Sequence, residues 1–139
     1  MKRLKALLAS TFLVLASAAQ AQSTPTISTT DATVAGLNTA SALQNAATST
    51  YFSNTGETLL VVKGGGTAVT GTINTVATAI NTQSYGPVAL TSPSFSVPSG
   101  SVVIVGPFQT GRYNNQYGLV GVSFTGVTGV SVSAVNVPQ

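Results

Sequence analysis

The chain has 139 residues with no Cys, His or Trp, and its five Lys+Arg against two Asp+Glu give a formal net charge of +3. That length fits one domain, and the inventory removes most of the side chains that nucleophilic, acid–base and metal chemistry require. The positive charge is an effect of the first five positions: without Lys2, Arg3 and Lys5 only Lys63, Arg112, Asp31 and Glu57 remain, and their side-chain charges cancel.

Those first basic residues precede the apolar run Ala6-Leu7-Leu8-Ala9-Ser10-Thr11-Phe12-Leu13-Val14-Leu15-Ala16 and then Ala19-Gln20-Ala21. This order of charge, apolar core and small residues is that of a secretory signal peptide over residues 1–21, cut after Ala21. The apolar run is shorter than the roughly 20 residues a membrane-spanning helix needs, so no membrane association is expected after cleavage. Export to the periplasm or the extracellular space follows. The basic residues leave with the signal, so no patch remains to neutralise phosphates and no nucleic-acid partner is expected.

Residues 22–56 read as a Thr/Ser-rich lead-in. Ser23-Thr24-Pro25-Thr26-Ile27-Ser28-Thr29-Thr30 suits a mobile lead-in or an edge strand, since Thr is β-branched and Pro25 cannot donate to a ladder, residues 37–47 fit either a short helical turn or a loop, and Asn54-Thr55-Gly56 marks a turn. The core is expected over 57–139. Thr58-Leu59-Leu60-Val61-Val62-Lys63 is a strand apolar on both faces, ended by Gly64-Gly65-Gly66, and Val69-Thr70-Gly71-Thr72-Ile73 alternates, which predicts a hairpin between the two. The glycine triplet lacks the Lys-Ser/Thr that a phosphate-binding loop places after it.

Residues 74–83 fit one helical turn, a loop or an irregular strand. Val88-Ala89-Leu90 and Phe95-Ser96-Val97 read as short strands separated by Pro93. Ser101 to Val105, with the continuous apolar run Val102-Val103-Ile104-Val105, reads as a central strand, stopped by Gly106-Pro107. Leu119-Val120-Gly121-Val122-Ser123-Phe124 sets Val120, Val122 and Phe124 on one face, and residues 130–137 alternate in a last strand with a bulge expected near Ala134. Seven or eight short strands with Gly and Pro turns predict an all-β fold, an antiparallel sandwich or a jelly-roll-like barrel.

The chemistry available is narrow. No His can serve a Ser nucleophile, Asp31 and Glu57 lie in separate segments, and no Cys/His/carboxylate cluster has metal-ligand spacing. Neither catalysis nor a cofactor is expected. The most suggestive polar cluster is Tyr113, Asn114, Asn115, Gln116 and Tyr117, in which Tyr supplies amphipathic area and Asn/Gln supply adaptable hydrogen bonds, as at partner-binding surfaces. The alternative is a polar turn whose Tyr residues pack down over the end of the sandwich.

In chain order, Leu60-Val61-Val62-Lys63-Gly64-Gly65-Gly66, Val69-Thr70-Gly71-Thr72-Ile73, Val97-Pro98-Ser99-Gly100, Gly106-Pro107-Phe108, Tyr113-Asn114-Asn115 and Gly118-Leu119-Val120-Gly121-Val122-Ser123-Phe124 resemble small β-sandwich proteins of tailed-phage structural genes, which decorate or cement capsid exteriors. The resemblance covers about residues 57–137. It implies a non-enzymatic subunit binding a protein lattice or like subunits, often as an oligomer, on a virion surface. With the signal peptide, the corresponding expectation is a subunit that coats or builds a phage particle or a cell-surface structure. The alternative is a secreted recognition module that binds glycan or protein through residues 113–117.

Overall fold

A computed structural model describes residues 25–33, 36, 42–83 and 86–137. The signal peptide and residues 37–41 lie outside the described residues, while the rest of the 37–47 segment includes the two-residue strand Gln44–Asn45. Among the described residues the strands are β1 (Thr26–Ile27), β2 (Thr29–Asp31), β3 (Gln44–Asn45), β4 (Ser49–Ser53), β5 (Thr58–Lys63), β6 (Val69–Ile73), β7 (Ala79–Thr82), β8 (Gly86–Ala89), β9 (Ser94–Val97), β10 (Val102–Val105), β11 (Leu119–Phe124) and β12 (Ser131–Asn136). A short helical turn, α1 (Thr110–Tyr113), sits between β10 and β11.

The expected all-β sandwich forms. One sheet runs β1-β4-β11-β6-β9, the second runs β10-β5-β12-β2 with β3 also on β12, and β7 and β8 make a separate two-stranded ribbon. The strands outnumber the seven or eight expected because several are two or three residues long, too short to leave a periodic signal. Most ladders are antiparallel, while β1 runs parallel to β4 and β2 parallel to β12.

Alternation places the core. Phe52 of β4, Val69 and Ile73 of β6, Val120, Val122 and Phe124 of β11, and Val97 of β9 face Leu60 and Val62 of β5 and Val132 and Ala134 of β12. Each such side chain contributes about 1.5–3 kcal/mol by leaving water. Ile27 and Phe52 come from the Thr/Ser-rich lead-in, so that segment supplies strands to both sheets and core residues to the first. Gly71 faces inward where a Cβ would stand 2.2 Å from the Phe95 ring, and the vacated space lets Phe95 meet Phe124 edge-on at 6.3 Å. β12 keeps an unbroken register with β5 from Ser131 opposite Lys63 to Asn136 opposite Thr58, so the bulge expected near Ala134 does not occur.

Two strand placements differ from expectation. β5 and β6 do not form a hairpin: β5 pairs with β10 and β12, whereas β6 pairs with β11 and β9 in the other sheet. Gly64-Gly65-Gly66 therefore carries the chain from one sheet to the other. A Cβ on Gly64 would lie 2.4 Å from the Pro98 carbonyl oxygen, and one on Gly65 would lie 2.2 Å from that of Thr128. Gly64 N–H donates to Ser101 O at 2.8 Å, Gly100 N–H donates to Gly65 O at 2.9 Å, and the Ser99 hydroxyl donates to Gly66 O at 2.9 Å. Triple glycine signals close backbone approach as readily as a hairpin turn, and here the approach decides.

The second is β10, which has β5 as its ladder partner and ends its sheet instead of occupying the centre. Residues 74–83, open between helix, loop and strand, supply β7 in the ribbon with β8.

Gly65→Ala is expected to lower the unfolding free energy in a urea titration by about 2 kcal/mol or more, because the contacts to be relieved are backbone atoms. Gly66→Ala, at a position with nothing within 4 Å of the added Cβ, is expected to stay within about 0.5 kcal/mol of the parent.

Candidate functional site

The polar cluster 113–117 lies in the connection between β10 and β11, across one end of the sandwich. The segment enters it through a cis Gly106–Pro107 peptide, with Gly106 at φ 125°. Phe108 then turns into the core, where it is buried against Phe52 at a ring separation of 5.4 Å. Tyr113, from the end of α1, closes over it edge-on at 5.9 Å. The arrangement is a favourable edge-to-face aromatic contact, so the Tyr113 ring is committed to the end of the core.

Asn114 is committed as well. Asn54 Nδ2 donates to Asn114 Oδ1 at 2.6 Å and to Phe108 O at 2.9 Å, and Asn114 Nδ2 donates back to Asn54 O at 2.9 Å. Asn54 Oδ1 accepts from Gly56 N–H at 3.1 Å, and its own N–H donates to Gly118 O at 3.1 Å. Asn54 is buried, and this set of bonds uses its amide fully. It ties the turn after β4 to three points of the 106–118 connection.

Asn115 serves the loop itself. Its Oδ1 accepts from Tyr117 N–H at 2.9 Å and Leu119 N–H at 3.1 Å, while its backbone N–H donates to Leu119 O at 2.9 Å. This is the side-chain-to-backbone turn for which Asn is suited. Gln116 and Tyr117 remain at the tip, with Tyr117 75% exposed. Of the five cluster residues, then, Tyr113, Asn114 and Asn115 build the loop and Gln116 and Tyr117 face solvent.

Arg112 does not pair with a carboxylate here. Its Nη2 donates to Thr91 O at 3.1 Å, its guanidinium carbon stands 5.1 Å from the Tyr113 ring centroid, and its carbonyl accepts from Val76 and Ala77 N–H at 2.9 and 3.2 Å. These contacts fasten the root of the β7–β8 ribbon to the 106–118 connection. Beyond the root the ribbon is exposed along its length. Ile80 and Val88 lie directly opposite one another in its ladder and are about half exposed.

A shallow cleft of about 210 Å³ runs beside the same connection, lined by Ile73, Phe95, Val105, Pro107, Phe108 and Tyr113 among others. Its walls are mostly apolar, with Ser94 and Tyr113 the hydroxyl-bearing side chains, and no carboxylate or cationic side chain lines it. Among the described residues no group of three or more His, Cys, Asp or Glu side chains gathers at one place.

The sequence pattern marks Asn54 only as part of a turn and Arg112 only as a charge. Their roles depend on Phe108, Asn114 and Thr91, all distant in sequence. Comparison with protein-family models, with curated proteins and with solved structures gives no match to this chain.

Asn54→Ala is expected to cost about 2 kcal/mol or more and Asn114→Ala about 1–3 kcal/mol in chemical denaturation, since each leaves buried partners unsatisfied. Gln116→Ala is expected to leave the denaturation midpoint unchanged, as its side chain is exposed at the loop tip.

Proposed function

We propose that the chain is a non-enzymatic structural subunit that coats or builds a multi-copy assembly outside the cytoplasm, a cell-surface structure or a virion surface. The observation that supports this most directly is the β7–β8 ribbon. It is two strands with exposed faces, and an isolated two-stranded ribbon is marginal in water. Its Ile80 and Val88 find no cover in the sandwich, and a neighbouring protein surface would supply it.

Two further features agree. Beyond residue 21 the chain carries two side chains of each sign, so neighbouring copies would meet without net repulsion. The loop 106–118 is fixed by buried hydrogen bonds and ring contacts, which suits a rigid repeating unit. The order of motifs shared with capsid-decorating sandwiches points the same way. The competing reading is a secreted recognition module gripping glycan or protein, and for it the exposed Tyr117 beside Gln116 is the supporting feature.

Mass spectrometry of purified virions and of periplasmic and culture-supernatant fractions, with the N-terminus read directly, tests the proposal. The expected result is a chain beginning at Gln22, recovered in many copies in a particulate fraction. Ile80→Asp with Val88→Asp is expected to reduce that recovery at least tenfold while the denaturation midpoint holds. Recovery solely as a free monomer that binds a ligand, with binding lost in Tyr117→Ala, would establish the recognition module instead.

A further inference from the structure

At β10 the residue pattern and the position in the sheet disagree. Val102-Val103-Ile104-Val105 has the composition of a strand paired on both sides, yet it ends its sheet, and Val102 and Ile104 are 59% and 63% exposed. The ladder parity identifies the backbone groups left over. Gly64 N–H donates to Ser101 O, which sets the odd-numbered residues of this edge toward β5. β5 in turn directs its own odd-numbered residues toward β12, in step with the Val137 N–H to Glu57 O bond. Hydrogen-bonding direction alternates along an antiparallel strand, so the N–H and C=O of Val102 and Ile104 point outward from the sheet edge.

The remaining edges of the two sandwich sheets are blunted in the usual ways. β1, β2 and β3 are two or three residues long, and β9 lies between Pro93 and Pro98 with Ser94 and Ser96 exposed. β10 carries no such protection, and no charged residue occurs between Lys63 and Arg112.

We infer that β10 is a two-fold interface at which a second copy of this chain pairs its own β10 antiparallel, with the axis through Val103 and normal to the sheet. The inference rests on the structural-subunit reading and deepens it by naming the first partner. In this register Val102 stands opposite Ile104 of the second copy, and the reverse pair is generated by symmetry. Both are the hydrogen-bonded kind of pair, so the outward N–H and C=O groups of both copies are satisfied. Cross-strand pairs of branched apolar side chains reinforce the contact.

A register centred on Ile104 would require Gly106 to continue the strand, and its φ of 125° departs from extended backbone. Charge does not oppose a like copy. Lys63 flanks Val102 in the ladder, but the two Lys63 residues would sit three strand spacings apart, about 14 Å, beyond the ~8 Å screening length at physiological salt. The pairing makes β10 the central strand that its sequence describes.

The chain contains no Cys, so disulfide trapping reads the register directly. Hydrogen-bonded antiparallel partners stand about 5.5 Å apart at Cα, within the range a disulfide spans. A mixture of Val102→Cys and Ile104→Cys proteins, oxidised under mild conditions, is expected to give at least tenfold more covalent dimer than either protein alone. Both side chains are exposed, so neither substitution opens the core. Ile104→Lys is expected to weaken dimerisation at least tenfold in sedimentation velocity while leaving the circular dichroism spectrum and urea midpoint unchanged.

Equal trapping in the single variants, a parent that stays monomeric at several hundred micromolar, or a dimer indifferent to Ile104→Lys would each overturn the inference. A monomeric parent still recovered in many copies from native particles removes the β10 pairing and leaves the structural reading in place. A β10 dimer absent from every particulate fraction does the reverse.

Discussion

At Gly64 and Gly65 three segments of backbone meet with no room for a side chain between them. The residues before β6, the turn between β9 and β10 and the turn before β12 close on one another through direct backbone contact and hydrogen bonds. The topology depends on that meeting. Because the chain can cross there, β5 stays in one sheet and β6 enters the other, and the two faces that form the core are brought together. Because β9 and β10 are joined by residues 98–101 at the same junction, they become the terminal strands of opposite sheets. The open side of the sandwich, with its unpaired apolar strand, is thus set by a packing constraint at two glycines.

The opposite task, closing an end of the sandwich, falls to polar side chains. Phe108 fills the core below the 106–118 connection, and Asn54 ties that connection to the turn after β4. A buried amide is costly unless its donors and acceptors are all used, and here Nδ2 of Asn54 finds both its partners across a long sequence separation while Oδ1 accepts locally from Gly56 N–H. Such a network holds one geometry closely, so Gln116 and Tyr117 are presented on a stiff base. Arg112 extends the same network to the ribbon. Its side chain is held at Thr91 O and over the Tyr113 ring, and so links the exposed arm to the sandwich end.

Near-neutrality runs through the functional reading. Two cations and two anions outside the first 21 residues leave little electrostatic means either to attract a charged ligand or to keep copies apart. What the surface does offer is branched apolar side chains in two places, the ribbon at Ile80 and Val88 and the edge strand at Val102 and Ile104. Both are exposed β structure, and the one titratable side chain beside either is Lys63, opposite Val102. Recognition built from these parts would read backbone and shape, which suits repeated contact with a regular surface.

Much of the fold was legible in the residues alone. Inward sets such as Val69, Gly71 and Ile73, or Val120, Val122 and Phe124, follow from a period of two, and burial on both faces at Leu60, Val61 and Val62 follows from an unbroken apolar run. The fold class and the scarcity of catalytic groups are likewise properties of composition and local pattern. Tertiary structure alone decided that Gly64-Gly65-Gly66 crosses between sheets, that β10 lies at an edge, and that Tyr113, Asn114 and Asn115 hold the loop while Tyr117 leaves it. The physical reason is the same in each case. Alternation and turn chemistry act within a few residues, whereas strand order and the satisfaction of Asn54 or Arg112 depend on contacts made by segments far apart in the chain.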